Sequence, residues 1–263
     1  MLKAIVFCTL LLVIDSTGFA KTTGLTICSL DNGFGIYTKP DGNGIWQKIV
    51  KNSVKDLDIS LKFIYAPRAR CLLKIKKGGA DAVYAGVTED KKTYMVFPQT
   101  KAHVEDISRS IGQIQYKIYK MKGNNVLWNG KIFTNLGTNT IGVQRGLQIE
   151  QSLRDNHVKV EGDLVASPEQ NLKKLILGRI VAAAIEEQQA DEVITKNGYD
   201  GIMKFPKSYS NSEVHLAFSY RFYQEHHDLV EKIWDNIRIS IKAFPKYNPA
   251  AIHINKHLQT ASI

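Results

Sequence analysis

The densest chemistry in this chain lies in two short segments, Gly86-Val87-Thr88-Glu89-Asp90-Lys91 and Glu186-Glu187, each following a run of small and apolar residues. The first offers a hydroxyl and a point positive charge, the second a pair of carboxylates. Such groups suit holding the charged or polar parts of a small solute. Hydrolytic catalysis is not expected, since no GxSxG motif and no cluster of cysteine with histidine is present. A metal is not expected either. His226 and His227 are adjacent, and His253 and His257 stand at i, i+4 without nearby acids or cysteines. No catalytic residue, metal or cofactor is assigned.

The elements around these segments repeat. Pro67 suits the first turn of a helix, Leu72, Leu73 and Ile75 give it an apolar side, and Gly78-Gly79 stop it. Ala82-Val83-Tyr84-Ala85 then reads as a buried strand. One hundred positions later the pattern recurs: Leu72 falls on Leu172, Lys74 on Lys174, Gly78 on Gly178 and Ala82 on Ala182. That spacing is too long for a solenoid and suits two α/β lobes of similar build. Ligands of open α/β sheets sit beyond the carboxyl ends of strands, which makes Gly86 to Lys91 and Glu186-Glu187 the first candidates for a site. Lys91 reads either as a ligand contact or as part of a solvated charged turn, and Glu187 is the alternative to Glu186 as the inward acid.

The first twenty residues read as a signal peptide: a basic start at Lys3, an apolar run from Ala4 to Ile14, and Gly18-Phe19-Ala20 before the cleavage point. An exported, periplasmic protein is expected. The chain carries 35 basic and 25 acidic residues, a net charge of +10, and Lys3 and Asp15 remove one of each. The lysines are scattered without a nucleic-acid motif, so a cationic surface is expected and not a nucleic-acid partner.

Leu25 to Leu30, a helix around Ile45 to Val54 and Ile59 to Tyr65 open a β-α-β-α-β series. The loop after the first strand carries Asp31, Phe34 and Tyr37, the aromatics either walling a ligand or packing. Gln113 to Met121 and Val214 to Ser219 read as strands, Asp228 to Ile241 as an amphipathic helix. Thr140-Ile141-Gly142-Val143-Gln144-Arg145-Gly146 reads as a strand and tight turn before a helix, where Gln144 and Arg145 are candidate contacts. Arg68 opens the earlier helix in the corresponding place. Crossings between lobes are expected near 108–115 and 205–214, giving lobe 1 as 21–110 with 206–263 and lobe 2 as 111–205. With a sheet order of 2-1-3, the crossover carries Cys71 over Cys28, and either a disulfide or two buried thiols would fit.

Together PRARCLLKIKKGGADAVYAGVTEDKKTYMVFP, IGVQRG, LILGRIVAAAIEE, VHLAFSYRF and HHDLVEKIWDNI resemble the periplasmic solute-binding proteins that serve ATP-driven importers of polar amino acids. The resemblance implies an α/β, two-lobed, flytrap-like (type II) periplasmic-binding-protein fold with two mainly parallel sheets and a two-strand hinge. It implies a monomer that closes on a small polar solute and presents itself to the membrane permease of an ABC importer. Thr88 and Lys91 match the positions that clamp a ligand carboxylate, and Glu186 matches the acid that takes its ammonium. Lys91 replaces the usual arginine, so bidentate carboxylate recognition is lost; Leu147 also stands where a threonine is frequent, and a different amine, a peptide-like or an acidic solute is left open beside an α-amino acid. A solute sensor docking on a membrane receptor, or a cyclohexadienyl-dehydratase-like enzyme, are the other activities this resemblance allows.

Overall fold

A computed structural model describes residues 22–145, 147–161 and 167–244. The expected signal peptide, Gly146, His253 and His257 lie outside the described residues. The first half runs β1 (Thr23–Leu30), α1 (Ile45–Val54), β2 (Ile59–Ala66), α2 (Arg68–Lys76), β3 (Ala82–Ala85), the single-turn α3 (Glu89–Lys92) and β4 (Met95–Val96). The chain then continues through β5 (Gly112–Met121), the hairpin β6 (Leu127–Trp128) and β7 (Phe133–Thr134), and β8 (Ile141–Gly142). After α4 (Gln148–Asp155) and β9 (Val160–Glu161) come α5 (Pro168–Ile176), β10 (Ala182–Glu186), α6 (Glu187–Asn197) and β11 (Ile202–Lys204). It returns through β12 (Ser210–Ser219), α7 (Tyr220–Glu225) and α8 (His227–Ser240).

The strand order is β2-β1-β3-β12-β5-β10-β8-β9, with β4 on β12 and β11 on β5. Strands β2, β1 and β3 are parallel, as are β10, β8 and β9. The expectation of two mainly parallel sheets is met within each lobe, but the two are joined into one continuous path. The join is β12, whose first half pairs with β5 from Ser210↔Tyr116 to Val214↔Gly112 and whose second half pairs with β3 from His215↔Ala85 to Phe218↔Ala82. This antiparallel pair of crossing strands is a hinge built from extended backbone. Arg109, just before β5, anchors its entry by donating to Asp235 and Glu231 on α8 at 3.1 and 2.6 Å.

Both faces of each parallel sheet are covered, which is why the strands read as near-continuous apolar runs. In the first lobe Ile27, Trp46, Tyr84, Phe218 and Trp234 belong to the core on one face, and Cys28, Cys71, Val83 and Ala217 to the core on the other. In the second, Ile118, Ile141 and Leu153 pack on one face and Tyr119, Leu172 and Ile185 on the other. Cys28 and Cys71 are bonded across the β1 to α2 contact, with Cα atoms 5.5 Å apart. The 2-1-3 order brings them together, and of the two pairings open on sequence the disulfide is the one present.

The hundred-residue echo extends to individual hydrogen bonds. After α2, the Gly78 and Gly79 amides donate to the Ile75 and Lys74 carbonyls; after α5, the Gly178 and Arg179 amides donate to Leu175 and Lys174. Gly78 and Gly178 have φ of 73° and 66°, the left-handed step that closes a helix in this way. A Cβ at Gly178 would meet nothing within 4 Å, so Gly178→Ala carries only the backbone penalty. It is expected to cost about 1 kcal/mol in urea denaturation, with Gly178→Asn costing less, because asparagine tolerates this conformation. Equal stability of the alanine variant and wild type would show that the turn relaxes at no cost.

Candidate ligand-binding site

A cavity of about 650 Å³ opens between the lobes, a volume in the range of small-molecule sites. The first lobe contributes Phe34, Trp46, Arg68, Tyr84, Thr88 and Lys91 to its wall; the hinge strands contribute Ile114, Tyr116 and Ser212; the second lobe contributes Leu147, Glu150 and Arg154. Of the residues singled out on sequence, Phe34, Arg68, Gly86, Thr88 and Lys91 line this cavity, while Asp31, Tyr37, Gln144, Arg145 and Glu186 do not. Asp31 and Arg145 are exposed, and Gln144 is half-buried. The hinge residues were not singled out. Their signal is the alternation of Ile114 and Tyr116 with Gln113, Gln115 and Lys117, which puts one set on the cavity side of β5.

Arg68 stands at the first turn of α2, aimed at the end of β3, where its Nη1 donates to the Tyr84 carbonyl at 2.7 Å. Burial holds its pKa below the usual arginine value. Thr88 caps α3, and its Oγ1 accepts from the Lys91 amide at 3.4 Å. The same turn folds the Lys91 side chain back, so that Nζ donates to the Gly86 carbonyl at 2.9 Å. Neither cation has a carboxylate within ion-pair distance among the described residues. The cavity's carboxylate, Glu150, pairs with Arg154 at 2.9 Å. The hydroxyls of Ser29, Thr38 and Tyr84, residues that line the cavity, are buried without a hydrogen-bond partner. Buried polar atoms left in that state cost free energy, and with no exposed surface these three are closed to a guest in the cavity as it stands.

Burial, with the Arg68 charge adding to it, lowers the Lys91 pKa from 10.5 to about 8. The folded value lies below the unfolded one, so between about pH 8 and 10.5 the unfolded chain binds more protons and stability rises with pH. Urea midpoints of the ligand-free protein are therefore expected to climb over that window, and this contribution disappears in Lys91→Met. Parallel profiles for the two proteins would show that Lys91 is hydrated.

Glu186 takes a different place. It ends β10 and immediately caps α6, its carboxylate accepting from the Gln188 and Gln189 amides at 3.2 and 2.9 Å. The Tyr37 hydroxyl of the first lobe donates to the same carboxylate at 3.1 Å. Glu186 is only 2 % exposed, and burial raises its pKa despite these three donors. Nearby, a Cβ on Gly35 would stand 2.7 Å from Gln189 Cγ, so the loop after β1 rests directly on the first turn of α6. The lobes touch at one side of the cavity, and Glu186 is the acceptor of that contact.

No family model and no curated protein matches the chain. Solved structures do. A histidine kinase sensor domain with similarity to periplasmic binding proteins superposes with TM-score 0.66 at 12% identity, covering 86% of this chain and 93% of that one. An ancestral arginine-binding protein bound to glutamine gives TM-score 0.62 at 18% identity, covering 85% and 97%. A structure concerning glutathione import through GshT and the cystine ABC importer TcyBC of Streptococcus mutans gives 0.64 at 13% identity, covering 82% and 87%. At these identities the likeness is one of fold, and the chain has the two-lobed fold of periplasmic binding proteins.

Proposed function

We propose that this is an exported solute-binding protein that closes two lobes on one small polar solute and presents the closed form to the permease of an ABC importer. The observation that carries the reading is the cavity itself: walled by both lobes, floored by the hinge strands, and flanked by the Tyr37 to Glu186 hydrogen bond between lobes. A hinge of paired extended strands permits rigid rotation of each lobe while leaving its core intact. Solute bridging both lobes stabilises the closed arrangement in proportion to its preference for that state. The fold's neighbours include a glutamine-bound binding protein and an importer-linked one, which supports capture and delivery. The absence of a membrane-crossing helix among the described residues is compatible with an exported domain. We place lobe 1 at 21–110 and 206–263 and lobe 2 at 111–205.

A second reading, solute sensing through a membrane receptor, draws on the likeness to a sensor domain. The dehydratase-like reading needs a general acid over the substrate; Glu186, the acid that could serve, caps α6 and lies outside the cavity wall. Thermal shift with amino acids, organic acids, polyamines and short peptides tests capture, because a ligand that binds the folded state alone raises the melting temperature. Pull-down with the ligand-loaded protein then separates an importer permease from a receptor kinase. A melting temperature unmoved by every class contradicts capture.

A further inference from the structure

We infer that the solute is an organic acid recognised through its negative charge, with no ammonium group required. The inference rests on the capture reading and names the chemistry of that same cavity. Arg68 uses one of its N–H donors on the Tyr84 carbonyl, and Lys91 uses one on the Gly86 carbonyl, which leaves the remaining donors of both without an acceptor among the described residues. Two cations lining one cavity without a carboxylate partner repel each other, and an anion between them relieves both the repulsion and the loss of hydration.

Among the described residues, the acids around the cavity are already committed. Glu150 is paired with Arg154. Glu186, the residue placed to meet an ammonium group, is filled by two backbone amides and the Tyr37 hydroxyl. Asp31 is exposed and outside the wall. Among the described residues the charged ones of the wall are thus Arg68, Lys91 and Arg154 against Glu150, and their field favours a net negative guest.

Calorimetry with matched pairs isolates the ammonium group: succinate against aspartate, glutarate against glutamate, and hydrocinnamate against phenylalanine, with putrescine as the cationic control. At least one acid is expected to bind no more weakly than its amino counterpart, and putrescine is expected not to bind. Arg68→Met and Lys91→Met should each weaken the bound acid by at least about thirtyfold. The ligand-free melting temperature should change little in either, because relief of a buried charge without a counter-ion offsets the lost hydrogen bond to the Tyr84 or Gly86 carbonyl; in affinity Arg68→Lys, which keeps a charge but not the fork, should fall between. Binding of amino acids without their deaminated partners, or of putrescine alone, overturns the inference and leaves capture standing. Wild-type acid affinity in both methionine variants overturns it as well. No response to any of these solutes overturns the inference, and capture falls too only if the broader thermal-shift screen is also silent.

Discussion

Removing the disulfide by Cys28→Ala together with Cys71→Ala is expected to lower stability by about 4 kcal/mol, which is the loop-closure contribution expected for a cross-link spanning 43 residues. The bond closes β1 through α1 and β2 to α2, so it restrains most of the first lobe's opening βαβα unit in the unfolded chain. Both sulfurs are fully buried, and the helix that carries Cys71 also carries Arg68. A looser α2 therefore weakens solute binding as well. Urea denaturation of wild type in its oxidised and reduced forms, beside the double variant, checks the value. A loss below about 1 kcal/mol would mean that packing of α2 on β1 already supplies the restraint.

Glu186→Ala is expected to cost about 2 to 3 kcal/mol even without solute. Loss of an N-cap is worth about 1 kcal/mol, and a hydrogen bond to a charged acceptor about 1.5 to 3 kcal/mol, partly offset because burial raises the carboxyl pKa and penalises its charge. Tyr37→Phe removes only the bond between lobes and should leave the stability of α6 intact while shifting the lobes toward the open arrangement. Hydrogen exchange at Gln188 and Gln189 separates the two effects. Protection lost in the alanine variant and kept in the phenylalanine variant is the expected pattern. Unchanged stability in Glu186→Ala would return Glu186 to the role of a hydrated acid awaiting ligand.

Much of the fold was legible because it rests on local signals. The glycines at 78 and 178 and the apolar runs of β3 and β10 are each readable without a partner. Strands of two residues such as β6, β7 and β9 have no period to detect. Helix α6 was hidden because its first turn is Glu187, Gln188 and Gln189, and Ala190 is its one fully buried residue. The site divides the same way. Arg68, Thr88 and Lys91 lie at element ends that a strand-then-loop reading reaches. Tyr116 and Ser212 belong to the cavity only because β5 and β12 pair across roughly the length of a whole lobe. Glu186 was found by position, but its role as cap and inter-lobe acceptor depends on α6 starting at the next residue and on Tyr37, 149 residues away.

Capture between lobes is tested most directly by the distance between spin labels at Asp31 and Glu192, exposed positions on the two sides of the Tyr37 to Glu186 contact. In ligand-free protein a longer distance should be populated, and saturating solute should collapse the distribution onto the short distance of the touching lobes. Tyr37→Phe should shift the ligand-free population further toward the long distance. A single distribution that neither a bound solute nor the Tyr37 substitution alters would contradict closure as the way this protein holds its ligand.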